Sequence, residues 1–407
     1  MVKRSALYRF PWSQVDNPGA WIEVTDSCDL ACPGCFRHPL EGHRGLDVIK
    51  EEIMLCQRET NCERIAIAGG EPLLYPHLPD VVEFISRQKI KAVLMTNGEQ
   101  LTRERALDLK KAGLVQFYFH VDSGQQRPGW ERKNECEMND LRQYYADLVA
   151  GLKNVQCGFN ITITRANLYS IPEIISWGIA NIDKVQSLSL IAFRGFLTSE
   201  GMEYLSEERK VKLRDFQCVA ETASEIDITS DEMFELLRFS RPELQPCAYL
   251  NGTADASSNK FLVILPIGSR GEVYGVLGAK AIELFQILQH VFTGKYTSLV
   301  RTLRPSKSVF VTSLFDQEAR KAFRRFLRTT FRRPSRLVRK IHLQCLNLVQ
   351  PTEIIGEEKN FCDGCINLIP WKGKMVHSCV LDEYRIFGGP IRPVRREDPS
   401  LSGRTAS

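Results

Sequence analysis

The sequence predicts an α/β fold built around a parallel sheet that is curved or closed. Three observations lead there: an alternation of strand-like and helical patterns from Trp21 to about Phe193, strand runs that are apolar throughout, and 407 residues of 43% hydrophobic content, enough to bury a large core. In order, the strand runs fall at 21–25, 64–68, 91–95, 115–121, 158–163 and 187–193, with helical patterns between them. Runs such as Ile65-Ala66-Ile67-Ala68 and Val93-Leu94-Met95 fit strands covered on both faces. Chemistry is then expected at the strands' C-terminal ends.

After Arg194 the rhythm stops. Residues 195–340 mix helical stretches, a polar turn at 251–259 that reads as a flexible loop, and a hairpin-like run, FLVILPIGSRGEVYGVLG, in no fold the sequence identifies. The chain divides into a core at 18–200, an insertion or linker at 201–340, a cysteine-bearing unit at 341–392 and a tail at 393–407 whose composition reads as disordered. Thirteen cysteines without an N-terminal apolar run point to a reducing compartment, the cytoplasm, and to metal ligation rather than disulfides. No run approaches the eighteen or so apolar residues of a membrane span. The net charge of +5 is too mild to specify a partner.

Directly after the first strand, DSCDLACPGCFR places Cys28, Cys32 and Cys35 in one loop as CxxxCxxC. Three thiolates can hold three irons of a cubane and leave the fourth without a protein ligand. Zinc is the alternative, with His38 or His43 as a fourth ligand, and buried packing cysteines are the bland one. At the end of the second strand stands GGEP, Gly69, Gly70, Glu71 and Pro72. Its glycines permit close approach to backbone and Glu71 offers an acceptor to an ammonium group.

Through these two motifs the sequence resembles the radical S-adenosylmethionine (SAM) superfamily over roughly residues 18–200. The resemblance implies a partial (βα)6 TIM-like barrel with SAM over its open end. It also implies a [4Fe-4S] cluster on Cys28, Cys32 and Cys35, reductive cleavage of SAM to a 5'-deoxyadenosyl radical, and a reduced flavodoxin or ferredoxin-type electron donor. Gly69, Gly70, Glu71 and Pro72 would meet the methionine part of SAM, and Asn97, Asp122, Ser123 and Asn160 fall where relatives touch the cofactor. Taken alone, an Asn or Asp at a strand end more often caps a helix or forms a turn. The aromatic residue common before the third cysteine is replaced by Gly34, with Phe36 following.

Near the C-terminus Cys362, Cys365 and Cys379 form CxxCx13C. A CxxC knuckle with a distant thiolate suits zinc or a second iron-sulfur cluster, with His377, Cys345 or Cys247 available to complete it. The spacing resembles the auxiliary [4Fe-4S] segment of the GTP 3',8-cyclase family over some forty residues. The resemblance implies a second [4Fe-4S] cluster in a small C-terminal domain, without implying GTP as substrate. The scattered Cys56, Cys62, Cys136, Cys157 and Cys218 are assigned to core packing.

Residues 320–340 carry ten Lys or Arg and no acidic residue, with Phe323, Phe326, Leu327 and Phe331 at near-helical spacing until Pro334. Such a helix can lie on an anionic membrane, at the inner face if the chain is cytoplasmic, or grip a phosphorylated substrate; equally its phenylalanines can pack on the barrel with arginines in water. No motif for nucleic acid accompanies the charge. The sequence therefore leads to a radical SAM enzyme of unidentified substrate, leaning to a lipid or isoprenoid because of this segment. A peptide or heterocycle is the second reading, and a non-catalytic iron-sulfur or zinc-binding protein the third.

Overall fold

The computed structural model describes residues 3–33, 35, 37, 41–197, 202–213, 219–220, 226–299 and 306–395. Gly34, Phe36, His38, Cys218 and all of the tail beyond Arg395 lie outside them.

A short strand β1 (Tyr8–Arg9) precedes six βα units: β2 (Gly19–Thr25) and α1 (Leu46–Thr60), β3 (Arg64–Gly69) and α2 (Leu78–Arg87), β4 (Lys91–Thr96) and α3 (Arg103–Ala112), β5 (Leu114–His120) and α4 (Asn139–Ala150), β6 (Gln156–Ile163) and α5 (Ile171–Ala180), then β7 (Ser187–Ala192) followed by α6 (Ser230–Ser240). All six strand runs are found where the sequence places them, and β2 to β7 pair in parallel, each with the next. Local signals fix the helices. Thr102 accepts a hydrogen bond from the Arg105 amide at the start of α3, and Gly113, at φ +110°, ends it in the left-handed region. The buried stripe of α2, Leu78, Val81, Val82 and Ile85, recurs at helical spacing and packs on the sheet's outer face.

The sheet continues past β7 with strands from three distant segments. Cys345–Val349 pairs parallel with β7, Asn259–Ile264 runs antiparallel beside it, Ala248–Asn251 follows antiparallel, and β1 completes the ten strands. The sheet thus draws on each segment assigned from sequence to core, insertion and cysteine-bearing unit. The hairpin-like run resolves into the strand Asn259–Ile264 and a true hairpin, Pro266–Ser269 with Glu272–Val276. Around that hairpin α7 (Ala279–Thr293) and α8 (Gln317–Arg332) share a second core with Phe10, Trp12, Tyr274, Phe310 and Phe326.

The C-terminal segment spans the gap between the sheet's two edges. On one side Gly252 bridges to Cys362, Thr253 donates to the Phe361 carbonyl (2.9 Å), and Asn360 Oδ1 accepts from the amides of Ala254 and Asp255. The polar 251–259 turn is therefore held by the cysteine-bearing unit rather than loose. A Cβ at Gly252 would sit 2.1 Å from Asn360 Oδ1. On the other side Asn17 Nδ2 donates to the Cys365 carbonyl (2.8 Å), and Trp21 of β2 packs with Ile369, Val376 and Leu381. The hairpin Leu368–Trp371 with Lys374–His377, followed by α9 (Leu381–Phe387), completes the seal.

Candidate active site and cysteine centres

Inside this ring lies a cavity of about 930 Å³ that touches all six motif cysteines. Its wall is made by alternate residues of the strands: Gln116, Tyr118 and His120 from β5, Asn160 and Thr162 from β6, Ser187 and Ser189 from β7, and Cys345 and Asn347 beyond. The intervening Phe117 and Phe119 of β5 are buried on the other face, whereas Val115, at a register shift, packs with Val93 and Tyr118. Polar side chains thus stand on part of the cavity wall where the sequence runs look uniformly apolar, among apolar residues such as Met95, Phe261 and Val263.

Cys28, Cys32 and Cys35 stand at the C-terminal mouth. Burial pushes Cys32 up to about 12, and the adjacent Cys35 and Cys28 thiols add to the rise. Burial likewise raises Cys28 and Cys35. The loop is fastened to β3 through the GGE backbone: the Gly70 amide donates to Thr25 O and the Glu71 amide to Ser27 O, both at 2.8 Å. The glycines are needed for that contact. A Cβ on Gly69, which sits at φ +133°, would meet Thr25 O at 2.2 Å, and one on Gly70 would meet Ser27 O at 2.3 Å.

Glu71 is spoken for as well. Its buried carboxylate accepts from the Leu73 amide (2.9 Å), Thr96 Oγ1 (2.6 Å) and the Asn97 amide (2.7 Å), so it latches β3 to β4. Burial raises its pKa to about 7 against those three donors. Pro72 is buried at the start of a 3-10 turn and does not reach the cavity. Asn97, Asp122, Ser123 and Asn160 all line it. Asn97 Nδ2 donates to Asp29 Oδ1 (2.7 Å) inside the cysteine loop, and Ser123 Oγ donates to buried Glu135 (2.7 Å).

Sequence reasoning missed His120 and Arg127. His120 Nε2 lies 2.7 Å from Asp122 Oδ2 and 3.0 Å from Thr162 Oγ1. Burial works against ionisation of Asp122, but the His120 charge and hydrogen bond, with the Thr162 amide, outweigh it and hold the carboxyl at about 2. Arg127, fully buried, ties the strand ends together by donating to the Asn97 and His120 carbonyls. The period-2 pattern Gln116, Tyr118, His120 was the signal available for the wall.

At the opposite end Cys362 and Cys365 lie near the starts of β2 and β3. The Ile366 carbonyl would be 2.7 Å from a Cβ on Gly19, and Cys365 lies close enough to buried Arg64 to act on its charge. The two thiols share a hydrogen bond, which with His377 beside it favours one thiolate, on Cys365. Cys379 is raised to about 12 by burial, with Arg194 opposing. Of the three candidate fourth ligands, His377 is brought to Cys365 and Cys345 faces the same cavity, whereas Cys247 is buried in the second core, its Sγ 3.4 Å from the Val263 carbonyl. His43 is engaged with Thr25 Oγ1 at 2.9 Å and stands off the cavity wall. Among the described residues no three His, Cys, Asp or Glu side chains converge on one ion. Cys56, Cys62 and Cys157 are fully buried; Cys136, half-buried, lies in a turn rather than on a regular element.

An ionic cluster joins the two centres. Arg37, just past Cys35, pairs with buried Glu23 of β2 and with Asp382 of α9 (2.6 Å), while Arg385 of α9 reaches Asp26 (2.7 Å) and Glu23 (3.0 Å).

Residues 22–164 match the Radical SAM superfamily, whose cofactors are a [4Fe-4S] cluster and SAM. A PqqA peptide cyclase from Streptomyces rochei is 39% identical over 100 residues, covering 24% of this chain and 27% of that one. A probable GTP 3',8-cyclase from Methanococcus vannielii is 31% identical over 105 residues, 25% of this chain and 35% of the other. The match thus spans only a quarter to a third of these relatives' length. Among solved structures, Streptococcus suis SuiB bound to S-adenosylmethionine aligns with a TM-score of 0.39 and 15% identity, over 55% of this chain and 47% of that one.

Proposed function

We propose that this chain is a two-cluster radical SAM enzyme acting on a peptide or similarly amide-rich substrate held in the cavity between its cysteine centres. Cys28, Cys32 and Cys35 hold the first cluster, and Gly69, Gly70, Asn97, Asp122, Ser123 and Asn160 frame SAM beside it. Cys362, Cys365 and Cys379 hold a second cluster, with His377 the nearest further donor. When bound, the first cluster and SAM supply a reducing electron and a carbon-centred radical able to take hydrogen from unactivated carbon. A flavodoxin or ferredoxin-type protein is the proposed electron source. The chain's own part is to hold the reactants in register and keep water out: Arg127 and Glu71 lock the strand ends, and the C-terminal seal closes the side of the ring.

The observation that carries the substrate class is the set of buried polar atoms of cavity-lining residues without a partner in the protein: Trp21 Nε1, Gln116 Oε1, Gln344 Oε1, Thr352 Oγ1, Asn367 Oδ1 and His377 Nδ1. Unpaired buried donors and acceptors are costly, and amide groups would satisfy both kinds. A hydrocarbon would leave them bare. The basic segment behind the lipid reading contributes no residue to this wall, and the relative named for a peptide substrate adds support to the second reading. An electron carrier, for its part, has no use for an enclosed volume of this size.

The test is to supply the reduced, SAM-loaded protein with a deuterated peptide digest or a deuterated lipid extract and to weigh the 5'-deoxyadenosine formed. Deuterium from peptides alone supports the reading; deuterium from lipids alone, or SAM that survives in both, overturns it.

A further inference from the structure

Helix α8 presents two unlike faces. Ala319, Ala322, Phe326 and Thr330 are buried against the second core, so part of the phenylalanine pattern does pack inward. The opposite stripe does not: Arg320, Arg324, Leu327, Arg328 and Phe331 are linked by three- and four-residue spacings, 320 to 324 to 328 and 324 to 327 to 331, and all are exposed. Phe331 is 92% exposed and Leu327 48%; flanking the helix, Leu314 is 77% and Val338 87% exposed. Bulky apolar side chains set this far into water among arginines are not what a merely solvated face carries. Among the described residues the ion pairs of the basic stretch are Lys321 with Glu318 and Arg336 with Glu272, so most of its charge is uncompensated. At the helix's N-terminal end a shallow surface pocket of about 410 Å³ is lined by Lys280, Arg320, Lys321 and Arg324 around Phe315.

We propose that α8 and its flanks form a docking surface for an anionic phospholipid bilayer. The helix lies in the plane of the interface, its arginines meet headgroup phosphates, the cationic pocket takes one such phosphate, and Leu314, Leu327, Phe331 and Val338 enter the acyl boundary. No described helix is long and apolar enough to cross a membrane, so the contact is with one leaflet. Charge alone would serve nucleic acid equally, and Phe331 could stack on a base; the protruding aliphatic Leu314, Leu327 and Val338 offer no such face and favour a bilayer. The inference rests on this outer surface and is independent of the chemistry assigned to the cavity.

The full chain is sedimented with vesicles of phosphatidylcholine alone or with about one-third phosphatidylserine, at about 0.1 M salt. Sedimentation only with the anionic vesicles is expected. Replacing Arg324, Arg325 and Arg328 by Gln lowers partitioning about 100-fold, and Leu327→Ser with Phe331→Ser lowers it about tenfold, neither moving the urea midpoint. Equal partitioning into neutral vesicles, no sedimentation at all, or indifference to the Leu327 and Phe331 changes overturns the proposal. So does release from the vesicles by an equal phosphate concentration of single-stranded RNA, which would point to nucleic acid.

Discussion

The two cysteine centres reach the same cavity by opposite means. The first is a single loop of local sequence, held over the strand ends by backbone contacts that only glycine permits, with every thiol kept protonated by burial. The second is assembled from a knuckle and a cysteine beyond a hairpin, on a segment that seals the ring, and there a thiol pair beside His377 favours a ready thiolate. One centre depends on the fold of the sheet's open end; the other helps to close the sheet. Damage to the first should therefore cost chemistry, and damage to the second should cost architecture.

The largest expected effect separates them outright. Cys32→Ser abolishes SAM cleavage and leaves about four irons of about eight, whereas Cys365→Ser loses a similar amount of iron but retains cleavage without substrate. Loss of cleavage in both would merge the two centres into one functional unit. Next comes their ionic link: Arg385→Met removes one partner from each of two carboxylates, Asp26 and the buried Glu23, which keeps Arg37, and should destabilise the fold by about 3 kcal/mol in urea titration, the lower end for a broken buried pair. A change near zero would mean that Arg37 alone holds α9 to the cysteine loop.

Gly70→Ala should cost about 3 kcal/mol, the upper end for overpacking because the atoms met are backbone, and should deplete iron from the first centre only. Equal depletion at both would show that the clamp is not local. Smallest is the acid limb. Asp122, held at about 2 in the fold, contributes stability that is full above its unfolded value near 4 and is lost as pH falls through 2, about 2 kcal/mol in all. Asp122→Asn should flatten that limb, and an unchanged slope would remove the His120 pairing from the account.

The parallel strands were legible because each is a short apolar run bounded by helical pattern, and both centres because thiolate spacing is a local property. The closure of the ring was not. Ala248–Asn251, Asn259–Ile264 and Cys345–Val349 are neighbours in the sheet but far apart in the chain, and no periodicity reports long-range pairing. The function of a residue was less legible than its place. Glu71, read from the sequence as an acceptor for an ammonium group, also holds two strands together, because Thr96 and the Asn97 amide, a full βα unit away, donate to its oxygens. The alternation Gln116, Tyr118, His120 was present in the sequence, but apolar neighbours on both sides of each of these residues masked it as continuous burial.

The most direct test of the account is iron and sulfide analysis of the anaerobically reconstituted chain, with chromatography for 5'-deoxyadenosine after dithionite and SAM are added. About eight irons per chain and formation of that nucleoside are the predicted result. Zinc at the cysteines, or iron with no 5'-deoxyadenosine under any reductant, would contradict it.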